Sequence, residues 1–497
     1  MKHTGTMAMP TGLTYQSKTK SWAHQDLGYG LISREPAYVL HWEMGTGKTK
    51  VLVDWICNHR PSKTLIVCPK NVVRVWVDEF AVHGHNPPQI LELGKGTATT
   101  KRDAEMLKAW WHIDPLVLVG NYERIWQRDL GKLILKNHWT LVVADELHKI
   151  KAHNGRISKF MWHITTDKRI GLTGTLMPHS PLDVFGSMRF IDPSLFGTSW
   201  IAFRNRHAIL KGPNRNWIDG VKPQSRTEIA GTLTSLVHRV TKLEVLDLPE
   251  FVHENRYVDL GKEALSAYRS MEDAFIAKVR GGVITASNAL VKLLRLQQIT
   301  SGFLPAEKEP ELITSFKNSV KGIGTMVPRE TAPPMVGNLF TNTQIDDAKA
   351  KALAELLEDI PSTEPVVVFC KFRHDLDVVR HGGGIGGLAA RKRFELSGRE
   401  NQLEEWQNRS AGDVLAVQIQ AGGVGINLTR ACYCVYFSMG FSLGDYEQSL
   451  ARVHRGGQTK SVTYIHLIAS GTVDETVYKS LAKKKNVVES ILKEMQK

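Results

Sequence analysis

The stretch Trp42-Glu43-Met44-Gly45-Thr46-Gly47-Lys48-Thr49 ends in Gly-x-Gly-Lys-Thr. That ending suits a loop wrapped around a phosphate. Backbone N–H groups can approach an anion closely only where no Cβ intrudes, which calls for Gly45 and Gly47 beside Thr46. Lys48 is spaced to reach the terminal phosphates of a nucleotide, and the Thr49 hydroxyl to hold Mg²⁺. A helix starting near Thr49 adds its positive end. The full motif has Gly where Trp42 stands.

A second stretch, Leu141-Val142-Val143-Ala144-Asp145-Glu146-Leu147-His148, is an apolar run ending in two carboxylates. Asp145 suits a Mg²⁺ ligand. Glu146 suits a general base that polarises the attacking water. Far along the chain, Arg452 and Arg455 stand three apart within residues 448–458. On a helix that spacing puts both on one face, as candidates to stabilise charge on a transferring phosphoryl group. The three groups together describe phosphoryl transfer. Their separation predicts a site assembled from two lobes, with hydrolysis tied to lobe closure.

These groups need scaffolds that hold strand ends together. Short apolar runs at 64–68, 116–120, 141–144 and 170–172 are separated by amphipathic or polar stretches, and the pattern returns at 366–370, 414–419, 432–437 and 462–467. Such runs suit parallel strands buried on both faces, with sites at their carboxyl ends. The predicted class is α/β, with two lobes of parallel sheet and helical insertions between them. The first lobe is expected over 1–190, insertions and linker over 191–345, and the second lobe with a terminal helix over 346–497. Helices are expected at 262–279 and 286–298 and over the last twenty residues. Prolines at 305, 310, 328, 333 and 334 mark a surface insertion, and five glycines within 381–387 a flexible spot.

The 497 residues suffice for two or three cores. Hydrophobic residues at 42% and charged residues at 23% exclude a disordered chain. A net charge of +14 favours a polyanionic partner. No run approaches the length of a membrane helix and the polar start lacks a leader's apolar core, so a cytoplasmic protein without membrane contact is expected. Cys432 and Cys434 have no second pair nearby and read as buried thiols rather than a metal half-site. The adjacent Trp110 and Trp111 read as packing.

In order along residues 12–478, these segments resemble the motifs of the remodeller-type (Swi/Snf) branch of superfamily-two helicases. Tyr15-Gln16 resembles the adenine-reading segment, which assigns the adenine edge to Gln16. Residues 43–49 resemble motif I. Ile66-Val67-Cys68-Pro69-Lys70 with Trp76 resembles motif Ia, and Gly120-Asn121-Tyr122-Glu123 motif Ib. Asp145-Glu146-Leu147-His148 resembles motif II, and Leu172-Thr173-Gly174-Thr175 motif III. In the family motif III couples hydrolysis to movement, with His148 as the expected link. Phe369-Cys370-Lys371-Phe372 resembles motif IV, residues 422–429 motif V, and residues 448–458 motif VI, with Gln448 at the nucleotide and Arg452 and Arg455 as fingers.

The resemblance implies two RecA-like lobes and a DNA-stimulated ATPase that uses ATP and Mg²⁺ and tracks along the backbone of double-stranded DNA without reading bases; a monomer is expected. Lys70, Asn121, Lys371, Gly425 and Asn427 are the implied nucleic-acid contacts. Strand separation or branch remodelling, a nucleic-acid-binding ATP switch and an RNA helicase are the alternatives. Leu147 stands where the family has Gly or Ala. No chromodomain, bromodomain or similar extension is recognisable, which speaks against nucleosome remodelling.

Overall fold

The computed structural model describes residues 15–94, 99–212, 217–280, 286–304, 343–382, 390–420 and 426–495. Most of the proline-rich stretch and of the glycine run at 381–387 lies outside them, as does Gly425. The chain divides into two compact units, 1–247 with 485–497, and 248–484.

The first unit is built on a seven-stranded parallel sheet: β1 (Ala37–Trp42), β2 (Lys63–Cys68), β3 (Gln89–Glu92), β4 (Leu116–Asn121), β5 (Trp139–Asp145), β6 (Thr166–Thr173) and β9 (Val237–Val240). Its order is β3-β4-β2-β5-β6-β1-β9. β2 and β4 are buried along their whole length, as their unbroken Val/Ile/Leu runs predict. The helix α1 (Ala23–Arg34) precedes the first strand, and α2 (Lys48–His59) and α3 (Val73–His83) are the first crossovers. A separate antiparallel hairpin joins β7 (Ala208–Lys211) to β8 (Trp217–Val221).

The second unit carries a six-stranded parallel sheet ordered β10-β17-β16-β13-β15-β14. Its strands are β10 (Phe251–Val258), β13 (Val366–Cys370), β14 (Arg393–Leu396), β15 (Val414–Gln418), β16 (Tyr433–Tyr436) and β17 (Val462–Ala469). The short pair β11 (Phe303–Leu304) and β12 (Thr343–Gln344) lies outside it. The helices Lys262–Arg280, Ala286–Thr300 and Val473–Glu494 fall where expected.

Every apolar run singled out in the sequence is a strand. β9 and β10, however, lie in the stretch read as insertion and linker, and each is a member of a main sheet. Both are edge strands, and β10 exposes most of its residues. An edge strand lacks the continuous apolar run that marks a buried one. Among the described residues, no helix is long and apolar enough to cross a membrane.

Candidate functional site

The candidate residues of the first unit sit at the carboxyl ends of its central strands. β5, β6 and β1 are neighbours, and their register aligns Asp145, Leu172 and Leu40 in one row. Neighbouring strands lie about 4.8 Å apart, so the loop leaving β1 and the acids ending β5 flank the end of β6.

The loop after β1 turns through two left-handed glycines, Gly45 (φ 85°) and Gly47 (φ 78°). α2 begins at Lys48, so its free N–H groups face the loop. Lys48 Nζ donates to the carbonyls of Trp42 (2.7 Å) and Glu43 (3.2 Å), and Thr46 Oγ1 to Glu43 O (2.7 Å). Thr49 follows in the first turn of α2, half-buried. A Cβ at Gly47 would lie 2.1 Å from Gln25 Nε2, so glycine is required there by both backbone and neighbour.

Trp42, the departure from the motif, is fully buried. Its indole donates to His238 Nδ1 (3.1 Å) and lies over Gly28, where a Cβ would sit 2.6 Å from the ring. The missing side chain on α1 makes room for the large one before the loop.

Asp145 and Glu146 form a buried acidic pair. Trp76 Nε1 donates to Asp145 Oδ2 (3.0 Å), and the Glu146 N–H to Asp145 Oδ1 (3.0 Å). Tyr122 anchors the strand end through the Asp145 carbonyl (2.7 Å). Burial, and then the adjacent Glu146 charge, push the Asp145 carboxyl well up from the carboxylate range, while the Trp76 indole and Lys48 pull it back. Glu146 holds a left-handed backbone (φ 54°), uncommon for a residue with a side chain. Its Oε2 is buried without a hydrogen-bond partner.

His148 Nδ1 lies 3.4 Å from Glu146 Oε2 and 3.3 Å from Thr173 Oγ1. Burial, with Lys151 and Lys149, drives its pKa far down, so the imidazole is neutral and the contact with Glu146 is no ion pair. The Thr173 hydroxyl donates to Thr175 O (3.0 Å) and accepts from the Thr175 N–H (3.1 Å). A Cβ on Gly174 would come within 3.2 Å of Met44 Cγ. The expected coupling segment thus touches both the acids and the phosphate loop.

Gln16 is not part of this cluster. It is exposed, and its backbone exchanges hydrogen bonds with the Asn58 side chain (2.9 and 2.8 Å). Asn58 lies ten residues along α2 from Lys48, about 15 Å by helix rise. Gln25 is the glutamine at the loop: it is buried, donates to Gly47 O (3.3 Å) and accepts from the Trp22 N–H (2.9 Å). Beside it, His24 Nε2 contacts Thr46 O (2.8 Å). Trp22, 45% exposed, stands next to Gly47.

Lys70 is exposed at the turn after β2. Asn121 is nearly buried and donates to Glu123 (2.9 Å).

In the second unit, Lys371 follows β13, but its ammonium donates to Gln297 and lies 5.0 Å from the Phe372 ring. Burial pushes its pKa down to about 8, and in this structure its ammonium is engaged by Gln297. Asn427 is exposed, with its Oδ1 accepting the Thr429 N–H (3.1 Å).

Gln448 and Arg452 lie on the helix Leu443–Val453. Arg455 lies beyond its end, so the two arginines do not share a helix face. Gly456 and Gly457 (φ 96°) follow at once, and Arg455 Nη1 donates to Ile426 O (3.3 Å). Gln458 fixes this turn by donating to Thr429 O (3.1 Å) and Ala431 O (2.9 Å). Trp111 packs edge-on against Trp139 (5.2 Å), and Cys432 and Cys434 are buried.

The family model described as the SNF2-related domain matches residues 21–302, which include Gln25 but not Gln16. The helicase conserved C-terminal domain matches residues 348–457. Protein CHROMATIN REMODELING 19 of Arabidopsis thaliana is 25% identical over 92% of this chain and 66% of its own length. An uncharacterized ATP-dependent helicase of Mycoplasma pneumoniae is 25% identical over 97% and 42%. The DNA repair and recombination protein RAD54-like of Drosophila mojavensis is 25% identical over 90% and 59%. The chain thus spans less than two thirds of the length of each of these relatives. The solved Sulfolobus solfataricus SWI2/SNF2 ATPase core in complex with dsDNA aligns with 96% of this chain and 94% of that one, at 20% identity and a TM-score of 0.41.

Proposed function

Since the chain belongs to the SNF2-related family, whose model spans more than half of it, we propose that it is an ATP-driven motor that moves along double-stranded DNA. The observation that carries the reading is one cluster at the ends of β1, β5 and β6. A glycine cradle with Lys48, a buried Asp145–Glu146 pair and the Thr173–Thr175 segment lie together there.

The cradle fits a nucleotide and its cation. Gly47 leaves no Cβ in the turn, and Glu146 holds a buried carboxylate oxygen free of hydrogen bonds. When bound, Mg²⁺–ATP supplies the phosphoryl group to be transferred. Gly45, Thr46 and Gly47 would offer the phosphates backbone N–H groups, Lys48 would exchange its carbonyl partners for phosphate oxygens, and Thr49 and Asp145 would hold the cation. Glu146 accepts the water's proton. Arg452 and Arg455 are proposed to neutralise the developing charge.

DNA as partner is supported by the net charge of +14 and by relatives whose names state chromatin remodelling and DNA repair. Exposed Lys70 and Asn427 are the first candidates for phosphate contact. A monomer and a cytoplasmic site remain part of the proposal.

The test is ATP hydrolysis with no nucleic acid, double-stranded DNA, single-stranded DNA or RNA, followed by displacement of a triplex-forming strand. Strong stimulation by duplex DNA together with triplex displacement is expected. Stimulation by RNA alone sinks the reading.

Two narrower outcomes follow from the site. Gln25→Ala is expected to raise the KM for ATP about tenfold, the loss of one well-placed hydrogen-bonding group, while Gln16→Ala leaves it unchanged. Equal effects in steady-state kinetics refute the assignment to Gln25. Trp76→Phe removes the indole that orients Asp145. The Mg²⁺ concentration for half-maximal hydrolysis is expected to rise by about tenfold or more, and an unchanged Mg²⁺ titration rules that role out.

A further inference from the structure

The stretch 199–228 holds Arg204, Arg206, Lys211, Arg215, Lys222 and Arg226 against two acids, Asp219 and Glu228, the latter paired with Arg206. That excess of four (six minus two) compares with +14 over the whole chain. The same stretch holds Ile201, Ile209, Trp217 and Ile218, four of the thirteen exposed large hydrophobics among the described residues. Positive charge and apolar exposure coincide on one small module, which no motif discussed above includes.

Its shape is an arm on a fixed base. The helix Trp200–His207 is seated by aromatic contacts: Trp200 stacks on His153 (4.3 Å) and packs on Phe185 (5.4 Å), and Phe203 packs on Phe185 (5.1 Å). Ala208 and Val221 are buried where the hairpin leaves this base. Beyond them, Ile209, Lys211, Trp217, Ile218 and Asp219 are all exposed. A two-stranded ribbon that buries neither face gains little from packing, so these side chains are not there to build a core.

Trp217 is the most exposed of them, at 66%. Its indole lies against Gly212, whose Cβ, if present, would stand 3.3 Å from the ring. Gly212 holds φ 92°, a conformation that favours glycine. One ring surface is thus backed by the ribbon and the rest is open. The neighbouring charges do not close it off: Lys211 pairs with Asp219 (2.9 Å), both exposed, and such a pair is weak enough to exchange for phosphate.

A supported aromatic face in a basic surrounding has a definite complement. The phosphate backbone answers the charge, and a nucleobase answers the ring. Bases inside a duplex have no free face, so the complement is an unpaired base. We propose that the β7–β8 hairpin is a second nucleic-acid contact, in which Trp217 stacks on an unpaired DNA base and so directs the protein to duplex that adjoins single strand. This inference rests on the DNA reading above and adds to it the preferred DNA structure.

The test is fluorescence anisotropy of the full chain without nucleotide, on a fork with unpaired arms and on a blunt duplex of equal paired length, at one fixed salt concentration. Wild type is expected to bind the fork more tightly than the blunt duplex. Trp217→Ala is expected to lose about 5- to 30-fold on the fork and less than about twofold on the duplex, and Trp217→Phe to keep most of the fork affinity. Equal fork affinity of wild type and Trp217→Ala overturns the proposal, as do equal losses on both substrates or a Phe variant as weak as Ala. Loss of self-association in Trp217→Ala with fork binding intact also overturns it, in favour of a second copy of the chain. A Trp217-dependent fork preference without any DNA-stimulated hydrolysis leaves this contact standing and removes the motor instead.

Discussion

Lys48→Ala is expected to lower DNA-stimulated ATP hydrolysis by at least about 100-fold, the scale for removing one preorganised charge from a phosphoryl-transfer site. The structure says why one side chain weighs so much. The Lys48 ammonium is already at the loop, held by the carbonyls of Trp42 and Glu43. It reaches a bound phosphate by exchanging partners over a short path, with little ordering left to do. No other cation is on the loop itself: residues 42–49 contain no second Lys or Arg. Removing Lys48 also leaves two loop carbonyls without these bonds, so a circular-dichroism melt must accompany the assay. A normal melt, normal DNA binding without nucleotide and lost hydrolysis together locate the defect in the chemistry. Retention of more than a tenth of wild-type turnover contradicts the role.

Part of this cluster is legible in the sequence and part is not, for identifiable physical reasons. The acids are legible because an unbroken apolar run ends in them, and the loop because of its Gly-x-Gly-Lys-Thr ending. Asp145 ends β5, and Gly45 and Gly47 break the chain after β1. The strand before the loop, β1, was itself not picked out, since Tyr38, His41 and Trp42 blur its apolar run.

The tyrosine before it is what singles out Gln16 in sequence, whereas Gln25 carries no such mark. Only packing separates the two: Gln25 enters the turn at Gly47, and Gln16 lies at the far end of α2. Arg455 was placed on a helix by spacing alone, although Gly456 and Gly457 are a readable stop. Lys371 shows a limit of another kind. Its partner Gln297 is 74 residues away, and no local pattern reports that distance closing. The same holds for Trp42 and Gly28, a large residue and a missing one that make sense only together. The Trp217 hairpin is not legible in sequence, because residues that bury nothing leave no periodicity to read.

Glu146→Gln is expected to reduce turnover about 10²- to 10⁴-fold, the range for loss of a general base, while ATP and DNA still bind. The substitution keeps the shape of the side chain and removes only its charge and its basicity, so it separates binding from hydrolysis better than Lys48→Ala does. Its effect on the rest of the site has a sign that can be worked out. The Glu146 charge is one of the two main causes that raise the Asp145 carboxyl. A carboxyl raised in the folded state binds its proton more readily there than in the unfolded chain. Stability therefore falls as pH rises through that range, and the penalty is fully present above the folded pKa. Neutralising Glu146 moves the Asp145 pKa back down and reduces that penalty. At neutral pH the variant is expected to melt no lower than wild type, even though it is nearly inactive. The amide also places a donor within reach of His148 Nδ1, which lies 3.4 Å from the orphaned oxygen. A nearly inactive variant that also melts well below wild type points to a structural role for Glu146 and away from the general base. Turnover within about tenfold of wild type assigns the base to another residue.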